Sequence, residues 1–166
     1  KNSSAIQSKL GYIPGEISFF DDMTGTEFLD FVAKYRKLGF ENRKKELMDR
    51  FDLNPKGKIK KMSKGMKQKI GIVSAFMHDP EILILDEPTR GIDVGAKYEI
   101  YCAINDLAKA GKAVIVISSE MPEIIGTCDR TYVLNEGQIA GELSKEELSQ
   151  EKIMKCIMQH NNRKGE

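Results

Sequence analysis

A short apolar run that ends in two carboxylates and a proline constrains the fold of this chain more than any other stretch. Residues 82–85 read Ile-Leu-Ile-Leu, and Asp86, Glu87 and Pro88 follow directly. A run without polar alternation is typical of a strand buried on both faces, as in a parallel sheet. Acidic side chains at the carboxyl end of such a strand lie where open α/β sheets bind ligands. Two adjacent acids there suit phosphoryl transfer, which needs a Mg²⁺ holder and a group that polarises water.

Strands and helices alternate along the remaining chain, which predicts an α/β fold with a parallel core sheet. Further strand-like runs cover residues 10–13 and 113–117, and a hairpin is predicted from 131–134 and 138–140. Helical spacing runs from Thr24 or Thr26 to Gly39, over 41–51, after residue 69 and over 94–110. The last two helices are predicted to turn inward Ile70, Val73, Phe76 and Met77, and Tyr98, Tyr101, Ile104 and Leu107.

One helix start is a candidate anion site. Ser63 and Gly65 stand just where the helix that contains Ile70 is predicted to begin. Free backbone N–H groups and the positive end of the helix dipole attract phosphates there. A Ser-x-Gly sequence is weak alone, because an ordinary helix cap also explains it. Its position ahead of the acidic strand is what favours a binding role.

Composition limits the classes of protein that fit. The 166 residues suffice for one domain with a real core, and no run of about 18 apolar residues could span a membrane. The polar first ten residues do not form a signal peptide, and the absence of an initial Met predicts a truncated protein. Cys102, Cys128 and Cys156 are widely spaced, which predicts reduced thiols in a cytosolic protein. Neither His78 nor His160 has a neighbouring metal-ligand set.

The basic charge is concentrated in one block. Residues 34–69 contain 14 Lys or Arg and 4 Asp or Glu, although the whole chain carries only +1. Such a block is compatible with nucleic acid, a solvated helical face or a surface near phosphates. The lysines of residues 56–61 have no interleaved aromatics, so a nucleic-acid partner is not expected.

Three motifs, taken in order, resemble an ABC transporter ATP-binding domain. Residues 63–69 (Ser-Lys-Gly-Met-Lys-Gln-Lys) are similar to its signature motif, residues 82–88 to its Walker B strand, and residues 91–93 (Gly-Ile-Asp) to its D-loop. Each motif is weak alone, but their order and spacing make the set specific. The resemblance covers essentially the whole chain and implies a P-loop NTPase-like fold with a helical signature subdomain.

The resemblance implies ATP and Mg²⁺ as cofactors and a role for individual residues. Asp86 would hold Mg²⁺ through water, and Glu87 would be the general base that orients the attacking water. Ser63 and Gly65 would contact the γ-phosphate of ATP held by a second ABC ATPase domain, because these domains pair head to tail. Lys64 and Gln68 belong to the same nucleotide-binding motif.

Further positions follow from the same resemblance. Asp93 would cross the dimer interface, Gly15 stands at the Q-loop position that senses the γ-phosphate, and Ser119 stands at the switch after the last core strand. Two of them depart from the family. Gly15 replaces a Gln and has no side chain to reach metal or water. Ser119 replaces a His and cannot carry positive charge, so transition-state stabilisation is expected to be weaker.

A third departure concerns the phosphate-binding loop. The 166 residues contain no Gly-x-x-x-x-Gly-Lys-[Ser/Thr] sequence, so the chain is expected to begin after the Walker A strand and loop. In the family that strand lies in the sheet centre. Without it, residues 82–85 are expected to leave backbone groups unpaired, and the isolated chain is expected to aggregate or need a partner.

The two halves resemble different branches of the family. Residues 10–69 are similar to exporter-type ATPases, and residues 87–158 to the second cassette of ribose/galactose-type sugar importers, with a seam near 79–89. Ser is common at the switch position of that cassette, so Ser119 fits the branch. The predicted organisation is one ABC ATPase domain fragment over 1–160. It comprises a helical subdomain at about 20–78, a core at about 79–143 and a C-terminal helix at 144–159, and residues 160–166 form a frayed tail.

The leading hypothesis is an ATP-binding and ATP-hydrolysing subunit, or part of one, that couples hydrolysis to solute transport, with monosaccharide import as a finer expectation. It implies transmembrane permease subunits as partners and a place on the cytoplasmic face of the cell membrane. The isolated chain is expected to be inactive. Two alternatives stay open: a non-catalytic module that supplies Ser63 and Gly65 in trans, and a soluble ABC-type ATPase acting on nucleic acid or ribosomes.

Overall fold

The computed structural model describes residues 3–20, 22–36, 39 and 41–163, with only the backbone described for Ser3, Ser4 and 160–163. Asp21 of the exporter-like stretch and residues 164–166 of the predicted tail therefore lie outside the described residues. The chain divides into two compact units, Lys1–Ile117 and Ser118–Glu166. This division falls inside the core segment predicted over 79–143.

A three-stranded parallel sheet forms the centre of the first unit. Its strands are β1 (Leu10–Ile13), β2 (Ile82–Asp86) and β3 (Ala113–Ile117), in the order β1-β2-β3. Leu83 and Leu85 of β2 are fully buried, as a strand covered by apolar side chains requires. The predicted parallel core sheet, and with it the α/β fold class, is confirmed.

Strand β2 is paired along both edges, which corrects one expectation. Leu85 pairs with Ile13 of β1, and Asp86 pairs with Ile117 of β3. The expectation that residues 82–85 leave backbone groups unpaired is therefore wrong. Among the described strands of this sheet, β1 and β3 provide the edges. Ile115 of β3 is 53% exposed. The apolar sequence of this strand therefore does not mean that the strand is fully buried.

The first unit also contains helices. They are α1 (Ser3–Lys9), α2 (Gly25–Tyr35), α3 (Glu41–Arg50), α4 (Lys64–Phe76) and α5 (Val94–Lys109), with a 3₁₀ turn at Ile59–Lys61. Thr24 caps α2, because its hydroxyl accepts from the Glu27 N–H while the Glu27 carboxylate accepts from the Thr24 N–H. The helix ends at Tyr35 rather than at Gly39 as predicted.

The core of the first unit is built on α4 and α5. The predicted inner face of α4 is confirmed, since Ile70, Val73, Phe76 and Met77 are all at most 1% exposed. The prediction for α5 is partly wrong: Ile104 and Leu107 are buried, but Tyr98 is 67% exposed. Ile100 and Ala103 provide the buried positions instead, because the apolar face is rotated away from the tyrosines.

The second unit contains a short helix, a hairpin and a final helix. These are α6 (Met121–Thr127), β4 (Arg130–Asn135), β5 (Gln138–Ser144) and α7 (Gln150–Arg163). The antiparallel hairpin is confirmed, and its turn uses positive φ angles at Glu136 and Gly137. The prediction that the last helix begins at Ser144 is wrong. The Ser144 N–H and hydroxyl do bind the Glu147 carboxylate, but they close a turn after β5 instead of capping a helix.

No helix among the described residues is both long and apolar enough to cross a membrane. Cys102, Cys128 and Cys156 are free and partly buried. Across the described part of the chain, no group of three or more His, Cys, Asp or Glu side chains is arranged to hold a metal ion.

Candidate functional site

The two carboxylates that end β2 lie at the carboxyl edge of the parallel sheet. Asp86 is the last residue of the strand and Glu87 is the first residue beyond it, and both are half-buried. This placement confirms the position predicted from the apolar run. Carboxylates at this edge face the region where open α/β sheets bind ligands.

Glu87 has an uncommon backbone conformation that several hydrogen bonds maintain. Its φ angle is +48°, in the left-handed region that non-glycine residues rarely adopt. Its N–H donates to the Ile117 carbonyl oxygen at 2.8 Å, and its own carbonyl accepts from the Arg90 N–H at 3.1 Å. Strain of this kind persists only where the surroundings enforce it, and it is concentrated at functional sites.

The loop after β1 reaches Asp86 directly. The Gly15 N–H donates to Oδ2 of Asp86 at 3.2 Å. An added Cβ on Gly15 would lie 3.0 Å from the same oxygen, so a larger residue would displace the carboxylate. The predicted Q-loop position is thus adjacent to the predicted metal holder. The contact is made by the main chain, which sequence reasoning did not anticipate.

The start of α4 lies against the turn that follows Glu87. Ser63 caps the helix, because its hydroxyl oxygen accepts from the Met66 N–H at 3.2 Å. Ser63 and Lys64 are exposed. An added Cβ on Gly65 would lie 3.2 Å from the carbonyl oxygen of Gly91, which itself has a φ of +77°. Glycine at both positions therefore allows the signature-like and D-loop-like segments to pack closely.

Gln68 faces inward rather than towards solvent. Its side chain is 7% exposed, and its Nε2 donates to the Glu87 carbonyl at 3.2 Å and to the Pro88 carbonyl at 3.0 Å. Both amide hydrogens are thereby engaged within the chain. The sequence-based expectation of a nucleotide contact at Gln68 missed this link. The signal that could have found it is spacing, since Gln68 falls on the α4 face of Ile72 and Ala75.

Asp93 caps α5 and lies beside a cavity. Its Oδ1 accepts from the Ala96 N–H at 3.0 Å, and this hydrogen bond lowers the pKa of the Asp93 carboxyl below its usual range. The adjacent cavity has a volume of about 330 Å³, and its charged lining residues are Arg50, Asp52, Lys69, Asp93 and Glu99. The carboxylate is therefore ionised and exposed, as an interface residue would need to be.

Ser119 belongs to the second unit, where it is exposed two residues past the end of β3. Its assignment as the switch residue stays a prediction. In the first unit, hydrogen bonds and close contacts link Gly15, Gly65, Gln68, Asp86 and Glu87 through the end of β2 and the turn after it.

Comparison with known families identifies the first part of the chain. The family model described as "ABC transporter" matches residues 1–90, which include β2, the start of α4, Asp86 and Glu87. Asp93 and Ser119 lie beyond the matched residues. Similarity to curated proteins extends further along the chain, as the following relatives show.

Two sugar-transport ATP-binding proteins illustrate that similarity. The L-arabinose transport ATP-binding protein AraG of Geobacillus stearothermophilus is 57% identical over 100 residues, which are 60% of this chain and 20% of that protein. The ribose import ATP-binding protein RbsA of Clostridium perfringens is 41% identical over 162 residues, 94% of this chain and 32% of that protein. The chain thus spans a third or less of these relatives. The exporter-like character of residues 10–69 stays a prediction.

Solved structures share the fold. An ATP-binding subunit of an ABC transporter superposes with a TM-score of 0.81 at 23% identity, covering 92% of this chain and 69% of that one. The ATP-binding cassette MJ0796, a dimer in a post-hydrolysis state with ADP and Pi, superposes with a TM-score of 0.76 at 20% identity. That match covers 86% of this chain and 66% of the cassette. At such identities the likeness establishes the fold.

Proposed function

The chain belongs to the ABC transporter family, and from this premise we propose that it is part of an ATP-binding subunit that hydrolyses ATP to energise solute transport. The observation that carries the proposal is the turn after β2. There Glu87 is held at a φ of +48° beside Asp86, at the carboxyl edge of a parallel sheet. A general base needs such a fixed direction, because a water must be oriented within hydrogen-bond reach of it.

The proposed substrate class is a monosaccharide taken up by the cell. Its support is that the relatives described above are named as arabinose and ribose import or transport proteins. Xylose import ATP-binding proteins are similar as well, at 56% identity over 99 residues in Moorella thermoacetica. The proposal places the subunit on the cytoplasmic face of the cell membrane, with transmembrane permease subunits as partners.

Asp86 is the proposed holder of Mg²⁺. Carboxylate oxygens are the ligands that Mg²⁺ prefers, and this ion is commonly held by one or two carboxylates together with waters and substrate phosphates. A single half-buried Asp86, oriented by the Gly15 N–H, fits that requirement without a larger ligand cluster. The ion would neutralise charge on the transferred phosphoryl group.

The start of α4 is the proposed contact for a second nucleotide. Ser63 and Lys64 are exposed at a helix start, and Gly65 adds no side chain that would obstruct a phosphate. We propose that they meet ATP bound by a second ABC ATPase domain, with Asp93 at the interface. The dimeric state of the MJ0796 cassette supports this arrangement. Ser119 is proposed to hydrogen-bond the γ-phosphate at the switch position.

Reconstitution of the full-length protein with its permease in lipid vesicles tests the proposal. We expect Mg²⁺-dependent ATP hydrolysis that rises when ribose, xylose or L-arabinose is supplied with the cognate binding protein. Absence of hydrolysis would reject the function, whereas hydrolysis without a sugar response would reject only the substrate class. Titration of the 166-residue chain alone with Mg-ATP tests the alternative of a non-catalytic module that acts in trans. Micromolar binding of Mg-ATP by this chain alone would exclude that alternative.

A further inference from the structure

Gln68 is a buried polar side chain in an otherwise apolar helix face. It is 7% exposed and shares its face of α4 with Ile72 and Ala75, which are 0% and 3% exposed. Buried polar groups are retained where their hydrogen bonds fix a particular arrangement. The partners of Gln68 therefore indicate what its presence achieves.

Those partners are the two carbonyl groups of the turn after β2. Nε2 of Gln68 donates to the Glu87 carbonyl at 3.2 Å and to the Pro88 carbonyl at 3.0 Å. Pro88 is buried and has no N–H group, so the turn has few alternative donors. One backbone donor, the Arg90 N–H, shares the Glu87 carbonyl. Loss of the Gln68 amide would leave the Pro88 carbonyl without this buried donor.

We propose that Gln68 is a positioning residue that keeps Glu87 in its left-handed conformation and so directs its carboxylate. The inference rests on the proposed function, in which Glu87 is the general base. The direction of a side chain follows from the φ and ψ angles of its residue. A relaxation of Glu87 from +48° towards an ordinary negative φ would change the direction in which its carboxylate leaves the main chain.

The same contact joins the two proposed nucleotide contacts of the chain. Gln68 lies in the second turn of α4, whose first turn contains Gly65 packed against Gly91. The start of α4 therefore contacts the turn after β2 in two ways, through the packing of Gly65 on Gly91 and through the hydrogen bonds of Gln68. Engagement of Ser63 by a second nucleotide would be transmitted to Glu87 through this connection, and Gln68 provides its polar part.

Two replacements separate the effect of hydrogen-bond donation by Gln68 from the effect of its packing. Gln68→Met keeps the length of the side chain and removes both donors, and Gln68→Glu replaces them with an acceptor. Matched controls are Gln7→Met and Gln7→Glu, because Gln7 is exposed on α1. In the full-length protein we expect kcat for ATP to fall on the order of a hundredfold in both Gln68 variants, because small misplacements of catalytic groups have effects of that size. KM should stay within about twofold.

Gln68→Glu should recover in part as the pH is lowered from 8 to 6, relative to the unmutated protein. A buried carboxyl facing carbonyl oxygens has a raised pKa, and its protonated form donates one hydrogen bond. Gln68→Met should show no such recovery. A rise in KM with unchanged kcat would overturn the proposal, because it would mean that Gln68 contacts the nucleotide.

Hydrogen exchange provides a readout that does not depend on activity. The N–H groups of Arg90 and Ile92 donate to the Glu87 and Thr89 carbonyls, so residues 87–93 should be protected. We expect exchange of this segment to accelerate about tenfold in Gln68→Met and to be unchanged in the Gln7 variants. Unchanged exchange in Gln68→Met would overturn the positioning role. Accelerated exchange in a protein without ATP hydrolysis would instead reject only the proposed function.

Discussion

The main-chain N–H of Gly15 donates to Oδ2 of Asp86 at 3.2 Å, and a Cβ added to this glycine would lie 3.0 Å from the same oxygen. The family resemblance places a Gln at this position, with a side chain that reaches the nucleotide site. In this chain the residue at the predicted Q-loop position contacts Asp86 through its main-chain N–H.

Replacing Gly15 should weaken the proposed metal site. In Gly15→Ala, the Cβ would lie 3.0 Å from Oδ2 of Asp86 and displace the carboxylate. We expect the Mg²⁺ concentration for half-maximal ATP hydrolysis to rise about tenfold, because changes at the hydrogen-bond partners of a metal ligand commonly weaken metal binding by that much. Gly126→Ala is the control, because an added Cβ there meets nothing within 4 Å. Equal Mg²⁺ dependence in the two variants would remove Gly15 from this role.

Gly11 should matter for stability rather than for chemistry. It lies in β1, and an added Cβ would be only 2.5 Å from the Ala75 carbonyl oxygen of α4. Because that neighbour is backbone, the helix would have to move away from the sheet. We expect Gly11→Ala to lower the free energy of unfolding by about 2 kcal/mol or more, measured by urea denaturation. A loss no greater than that of Gly126→Ala would contradict the packing of α4 on β1.

His78 should make stability depend on pH. Burial, aided by the Arg36 charge, lowers the pKa of His78 to about 4, and its Nε2 is 3.1 Å from the Leu10 carbonyl oxygen. The unfolded chain binds this proton below about pH 6.5. The folded state does so only near pH 4, so stability is lost as the pH falls between these values.

Comparison with His78→Gln isolates that contribution. Between pH 7 and pH 5 the unmutated protein should lose about 1 kcal/mol more than the variant, after allowance for solvent screening. This corresponds to a difference in Tm of about 3 °C. Identical pH dependence of the two proteins would show that His78 titrates alike in the folded and unfolded states.

The basic block should not bind nucleic acid. Several of its side chains are paired with carboxylates: Lys44 with Asp30 at 2.6 Å and with Glu41 at 2.8 Å, Arg50 with Asp106 at 2.9 Å, and Lys60 with Asp22 at 2.9 Å. These pairs reduce the positive field that would attract phosphates. We expect no gel shift of a short RNA at low salt. A shift that disappears as salt is raised would favour the nucleic-acid alternative instead.

The sequence predicted the elements whose periodicity is strong. β2, α4 and the hairpin follow from their apolar patterns, and Thr24 and Ser63 are the caps that helix-start chemistry favours. Errors arose where tertiary packing decides. The exposure of Tyr98 depends on how α5 is rotated, and the role of Ser144 depends on where β5 ends.

The candidate site was only partly predictable for the same reason. Asp86 and Glu87 could be predicted from the sequence, because adjacent acids after an apolar strand form a local pattern. The donation from Gln68 to Glu87 joins residues 19 positions apart, and that from Gly15 to Asp86 joins residues 71 apart. Such contacts depend on the packing of α4 and of the loop after β1 against β2, which no local pattern encodes.

A comparison of ATP binding and ATP hydrolysis by Glu87→Gln in the full-length protein tests whether Glu87 is the general base. Glutamine keeps the size of the side chain but cannot accept a proton. We predict that kcat falls at least about a hundredfold, while the Kd for Mg-ATP changes less than about twofold. Hydrolysis at the unmutated rate would contradict the assignment of Glu87 as the general base.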